Sequence, residues 1–134
     1  MPQFIWDDSL NLGEEMIDRQ HKTLVELINK VHEVSQAADR DVEAMQSLTA
    51  MYLYAKEHFF DEEALMERLG YPDIQRHKAQ HRAFVDKTHA LTDACLEGEM
   101  EMEELSKFLV LWLRQHIALE DAKIIRFIRS KEDA

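Results

Sequence analysis

The chain reads as an all-α protein, an up-down-up-down antiparallel four-helix bundle with an N-terminal arm packed along it. Three observations predict this. Glycine and proline are scarce, 3 and 2 among 134 residues, which favours long helices over many short strands. Four segments repeat apolar residues at alternating three- and four-residue steps, the period of a helix face turned toward a core. The connections between them are only a few residues long, so neighbouring helices must run antiparallel.

The arm, about residues 1–13, carries Phe4, Ile5, Trp6, Leu10 and Leu12, too apolar a set to trail in solvent. The first helix is expected over about 14–38, after "NLG", with Ile17, Leu24, Ile28 and Val31 in its stripe and His21 filling the gap. The second covers about 41–69 and stops at "GYP" (70–72). Its stripe is Leu48, Met51, Ala55, His58, Glu62, Leu65 and Leu69. The third, about 73–97, ends before Gly98 and aligns Ile74, His77, His81, Phe84, Thr88, Leu91 and Cys95. The fourth, about 100–128, aligns Met102, Leu105, Leu109, Trp112 and His116. Its acidic start, "EGEMEMEE" (97–104), suits the positive end of a helix dipole. No repeat, low-complexity tract or linker divides the chain, so residues 1–134 are expected to form one domain.

Composition narrows the function. Hydrophobic residues make up 46%, which marks a globular chain. A net charge of −11 argues against nucleic acid or an anionic membrane as partner. Cys95 is the single cysteine and can form no internal disulfide, so nothing implies an oxidising compartment. The opening "MPQFIWDDSL" lacks the basic and apolar stretches of a signal peptide. No run approaches the ~18 apolar residues of a membrane span. A cytoplasmic, monomeric protein is expected.

The polar residues that interrupt the stripes share one height. At ~1.5 Å rise per residue, His21, His58, Glu62, His77, His81, His116 and Asp121 fall in a slab roughly 6 to 18 Å from one end of the bundle. Buried imidazoles and carboxylates without partners cost several kcal/mol each, on the order given by transfer measurements. A metal satisfies all of them at once, because each offers a lone pair. The nitrogen and oxygen donor set disfavours Cu(I) and structural zinc. "HKAQH" has Lys78 where a zinc-protease motif has its glutamate.

Seven ligands are too many for one ordinary ion and suit two. If both carboxylates bridge, together with an oxo or hydroxo group, five histidines split three and two. One metal is then closed, and the other keeps a vacancy suited to a small diatomic ligand. Bundle di-iron enzymes use four glutamates and two histidines. The imidazole-rich set here favours reversible binding over oxygen activation. One spacing is anomalous. On a regular helix at about 100° per residue, Asp121 lies about 140° from His116. A ligand role for Asp121 therefore predicts a π-bulge or locally altered turn between them.

The stretches "IDRQHKTL" (17–24), "HFFDEEALM" (58–66), "YPDIQRHKAQH" (71–81) and "WLRQHIALED" (112–121) resemble, in order and spacing, those of the hemerythrin family and its single-domain bacteriohemerythrins. The likeness covers nearly the whole chain. It implies a non-haem di-iron centre in which His77, His81 and His116 hold the closed iron. His21 and His58 would hold the open one, with Glu62 and Asp121 bridging. It also implies reversible dioxygen binding for storage, transport or delivery by a protein that is not an enzyme, serving a recipient the sequence leaves unnamed. Hemerythrin-like proteins share these ligands across other uses. An enzyme or protective protein handling peroxide or nitric oxide, and an oxygen or iron sensor, stay open as alternatives.

Phe59, Trp112, Leu113 and Ile117 lie near ligands and are expected to wall a dry oxygen pocket, a role that ordinary core packing fits equally well. His32 and His89 lie off the seams and are expected at the surface or flanking it. Asp61 and Glu63 are expected in solvent, and Cys95 as a buried, inert thiol. Asp18 and Gln20 flank His21, placed to orient imidazoles from behind.

Overall fold

The computed structural model describes residues 6–35 and 41–132. After a 3-10 turn at Asp8–Leu10 come α1 (Glu15–Ser35), α2 (Asp41–Leu69), α3 (Ile74–Leu96) and α4 (Met102–Gln115). A π-helical turn, His116–Asp121, then leads into α5 (Ala122–Glu132), so that these last three form one continuous rod. The four-helix bundle stands, with α1 packed on α2 and α4, and α3 on α2 and α4. The fourth rod starts at Met102 rather than 100 and runs past 128 to Glu132. α1 is helical through Ser35, and residues 36–38 of the expected helix lie outside the described residues. No helix among the described residues is long and apolar enough to cross a membrane.

Two left-handed glycines turn the chain. Gly70 has φ +68°, and its N–H bonds Glu67 O at 3.2 Å while Tyr71 N bonds Met66 O at 3.0 Å. Gly98 repeats the arrangement at φ +77°, with Gly98 N to Cys95 O at 3.1 Å and Glu99 N to Ala94 O at 2.8 Å. These paired bonds close a helix whose next residue is left-handed, a conformation glycine reaches without a Cβ penalty. They reverse the chain within a few residues and so hold α2, α3 and α4 antiparallel.

The arm is tied down by α1. The Asp18 carboxylate accepts from Leu12 N at 2.8 Å and Gly13 N at 3.0 Å, so Asp18 anchors the arm and is not aimed at an imidazole. Glu14 caps α1, its side chain accepting from Ile17 N at 2.7 Å. From the far end of the chain, Arg129 Nη2 donates to Leu12 O at 3.1 Å, and Lys131 Nζ donates to Leu69 O at 2.9 Å. Trp6 and Leu10 pack into the main core and Leu12 into a smaller one, whereas Phe4 and Ile5 lie outside the described residues.

The core is divided. A large apolar cluster includes Leu24, Ile28, Met51, Phe84, Leu105 and Leu109. Two small ones, around Ile17 with Leu65 and Ile125 and around Met66 with Tyr71 and Ile124, fill the other end. His21 in α1, Glu62 in α2 and His81 in α3 stand between the large cluster and the small ones along their helices. His32 corrects an expectation: it is buried, and its Nδ1 lies 3.1 Å from Ser106 Oγ, which itself donates to Glu103 O. With its hydroxyl hydrogen so committed, Ser106 accepts from His32, and that bond satisfies the ring inside the core. His89 is exposed, 2.7 Å from the Tyr52 hydroxyl. Cys95 is half-buried, less enclosed than expected, and burial together with Glu101 and Glu104 raises its thiol pKa, consistent with low reactivity.

No neighbouring atom would meet a Cβ added at Gly70, so substitution there tests backbone conformation alone. Gly70→Ala should cost about 1–2 kcal/mol, the penalty of a left-handed alanine. Urea unfolding checks this through a lower midpoint with an unchanged slope.

Candidate metal centre

Each helix delivers its polar residues by its own period. α2 places His58 and Glu62 one turn apart, and α3 does the same with His77 and His81. α1 contributes His21 from within its buried stripe. In the fourth rod, His116 and Asp121 are the first and last residues of the π-helical turn. Its i→i+5 bonding brings residues five apart onto one face. The expected deformation is present, and Asp121 is fully buried with no exposure at all. The other six are also buried, at 5% exposure or less.

The imidazoles divide into three and two. His77 Nε2 and His81 Nε2 lie 2.8 and 3.2 Å from Glu62 Oε1. His77 Nε2 and His116 Nε2 each lie 3.1 Å from Asp121 Oδ1. The second oxygens face the other way. Glu62 Oε2 is 3.2 Å from His58 Nε2 and 3.8 Å from His21 Nε2, and Asp121 Oδ2 is 2.8 Å from His21 Nε2. Both carboxylates therefore span two donor sets, each set gathering its ligand atoms within 4.8 Å of one another.

Hydrogen bonding alone does not satisfy this layer. His21 Nε2, His58 Nε2, Glu62 Oε2 and both Asp121 oxygens find no hydrogen-bond partner among the described residues. The close approach of His21 to Asp121 thus brings the atoms near without the angles of a hydrogen bond. On the other side His116 Nε2 sits 3.1 Å from His77 Nε2 and 3.2 Å from His81 Nε2. A neutral imidazole has one donor nitrogen and one acceptor, so three converging ring nitrogens cannot all be paired by protons alone. Cations in the two pockets would satisfy every orphaned lone pair. The donor set fits a buried metal centre.

Behind the ligands, polar contacts fix the rings. Gln20 Oε1 accepts from His58 Nδ1 at 2.7 Å, and Gln20 Nε2 donates to Asp61 Oδ2 at 2.8 Å. Glu63 Oε2 accepts from His81 Nδ1 at 2.8 Å. Gln20 thus orients an imidazole as its position suggested. Asp61 and Glu63, expected in solvent, face the site instead. The signal that could have found them is chemical: a ligating histidine has a second N–H that needs an acceptor, and Asp61 and Glu63 flank a ligand.

Aromatic rings complete the frame. Phe59 stacks on His81 at 3.9 Å between centroids and 12° between planes, and Trp112 stacks on His116 at 4.4 Å and 14°. Both rings lie against the three-histidine set. Leu113 and Ile117 are buried in the main core, at 3% and 0% exposure.

Residues 12–128 match the hemerythrin HHE cation-binding domain. The chain belongs to the hemerythrin family. Its relatives include the bacteriohemerythrin of Pseudomonas aeruginosa, 34% identical over 129 residues, covering 96% of this chain and 84% of that one. The bacteriohemerythrin of Clostridium acetobutylicum is 28% identical over 127 residues, covering 91% and 98%. Among solved structures, wild-type hemerythrin gives a TM-score of 0.82 at 30% identity, covering 90% of this chain and 93% of that one. A point mutant of hemerythrin gives 0.86 at 29% identity, covering 95% and 98%.

Without metal, the buried carboxylates and imidazoles of this layer shift one another toward their charged forms. Burial opposes charging His77, but the carboxylates of Asp121 and Glu62 outweigh it and raise its pKa to about 9. His58 is raised too, burial again being overcome by Glu62. Burial works against the Glu62 and Asp121 anions, yet the imidazoles hold both pKa values below the ordinary range. The raised imidazoles stabilise the stripped protein fully below their ordinary 6.5, and this is lost as pH rises through their folded-state values, about 9 for His77. The lowered carboxylates contribute above their ordinary 3.8 and 4.5, and this is lost as pH falls through the folded-state values. Chelator-stripped protein should therefore be most stable between pH 4.5 and 6.5. Metal-loaded protein should lack the alkaline decline, because the cation replaces the proton. Urea midpoints measured against pH test this, and a stripped-protein maximum at pH 8 would contradict it.

Proposed function

We propose that the chain carries two iron ions and binds dioxygen reversibly, for storage, transport or delivery. In this reading His77, His81 and His116 hold one ion, His21 and His58 hold the other, and Glu62 and Asp121 bridge them. The observation that carries it is the three-and-two division of imidazoles across the two oxygens of each carboxylate. When bound, the iron pair would supply the electrons for reversible dioxygen binding. Membership of the hemerythrin family supports iron as the metal.

The chain's own residues do three things. The two carboxylates bring negative charge that offsets the cations inside an apolar bundle. Gln20 and Glu63 fix the His58 and His81 rings so that each presents Nε2 inward. Leu113 and Ile117, buried beside the layer, exclude water that would compete for the open position. Phe59 and Trp112 hold the rings of the three-histidine set.

The deciding experiment is to load the protein with ferrous iron without air, admit oxygen, and then lower the oxygen pressure. The expected result is two irons per chain and a visible absorption band that appears and bleaches with pressure. One zinc per chain would overturn the di-iron reading, and prompt irreversible oxidation with peroxide release would move the function to an enzyme. Leu113→Ala should cost about 2–5 kcal/mol of stability as a buried leucine truncation. It should also make the oxygen-dependent band decay severalfold faster. An unchanged decay rate would remove Leu113 from the pocket.

A further inference from the structure

The two donor sets differ in what stands behind them. On the three-histidine side, the acceptor behind His81 is a carboxylate, Glu63 Oε2 at 2.8 Å from Nδ1. On the two-histidine side, the acceptor behind His58 is a neutral amide, Gln20 Oε1 at 2.7 Å. His21 has none: its Nδ1 is buried and without a hydrogen-bond partner among the described residues. Asp61 is hydrogen-bonded to the Gln20 amide and not to His58, so its charge acts on that ring only across the intervening amide's distance. A carboxylate therefore bonds an imidazole Nδ1 directly behind His81, whereas behind His58 an amide stands between the ring and the acid.

We propose that Glu63 is a positioning residue that makes the two iron positions electronically inequivalent, favouring the higher charge on the three-histidine side. The inference rests on the di-iron reading above. A hydrogen bond to a carboxylate draws the Nδ1 proton outward and makes the imidazole a stronger donor at Nε2. An amide oxygen does this less, and an unpartnered Nδ1 not at all. Glu63 is suited to the task by its place. It is about a quarter exposed, at 27%, while His81 is 3% exposed. It lines a cleft of about 260 Å³ open to solvent, with Lys56, Phe60 and Arg82 at its sides. Solvent and nearby cations relieve the desolvation that a fully buried third carboxylate would suffer. The Phe59 ring, stacked flat on His81, restricts the imidazole to an orientation in which Nδ1 keeps this bond.

Loss of one electron from the ferrous pair to an added one-electron oxidant such as ferricyanide, itself reduced by that electron, should leave the ferric charge beside His77, His81 and His116. The position held by His21 and His58, the one with a coordination site to spare, stays ferrous. Glu63 thus biases the centre against oxidising the position at which a ligand binds.

The test uses the full chain loaded with two irons, its metal content measured first. Failure of the wild-type protein to load two irons defeats the di-iron reading itself and is distinct from the outcomes below. Glu63→Gln keeps an acceptor oxygen and removes the charge. It should shift the one-electron redox equilibrium about tenfold toward the reduced state, which is about 59 mV. It should also reduce the contrast between the two iron sites in the Mössbauer spectrum of the one-electron-oxidised protein. Gln20→Glu places a carboxylate behind His58 and should move ferric character toward the two-histidine side. Potentials and Mössbauer spectra unchanged in Glu63→Gln would overturn the proposal. Where Glu63→Gln fails to load, Gln20→Glu decides: a redistributed spectrum supports the proposal and an unaltered one refutes it.

Discussion

The fold is organised around seven lone-pair groups brought to one height inside a bundle and shielded there from solvent. Apolar packing holds the two halves of the core, but it cannot satisfy this layer, where nitrogens of His21 and His58 and oxygens of Glu62 and Asp121 lack hydrogen-bond partners among the described residues. The helices are compelled toward one another by hydrophobic burial and meet at a layer that protons fill only partially. Cations held by the two donor sets would complete it. Metal affinity and bundle stability would then be two readings of the same free energy, since the candidate ligands come from α1, α2, α3 and the fourth rod.

Much of this was legible in the linear chain because helical periodicity and ligand spacing share a length. His58 with Glu62, and His77 with His81, stand four apart, which is both a turn of helix and the separation needed to face one site. Heights along antiparallel helices could be counted, because turn residues such as Gly70 and Gly98 fixed where each helix reversed. The π-helical turn was readable only by conflict: periodicity put Asp121 outside, and ligand counting put it inside.

What escaped was the layer behind the ligands. Asp61 and Glu63 sit beside Glu62 in an acidic run, and their spacing alone marks them as solvated. Their roles arise from the positions of Gln20 and His81, residues 41 and 18 places away in sequence, so no local pattern encodes them. His32 escaped for a related reason. A histidine off the main stripe looks superficial until Ser106, 74 residues further on, is known to face it. Pairwise contacts between polar groups on different helices depend on rotations that apolar periodicity specifies only coarsely.

The π-helical turn also sets the phase of everything after it. A single residue inserted into a helix rotates the following segment by about 100° relative to an uninterrupted one. Ile124 and Ile125 reach the small core clusters, and Arg129 and Lys131 reach the carbonyls of Leu12 and Leu69, in the phase that follows this insertion. Removing one residue from "HIALED" would do more than misdirect Asp121. It would turn α5 on its axis, withdraw its isoleucines from the core, and release both the arm and the α2 terminus that its basic residues hold. The turn that completes the ligand set is thus also the index mark by which the end of the chain finds its beginning.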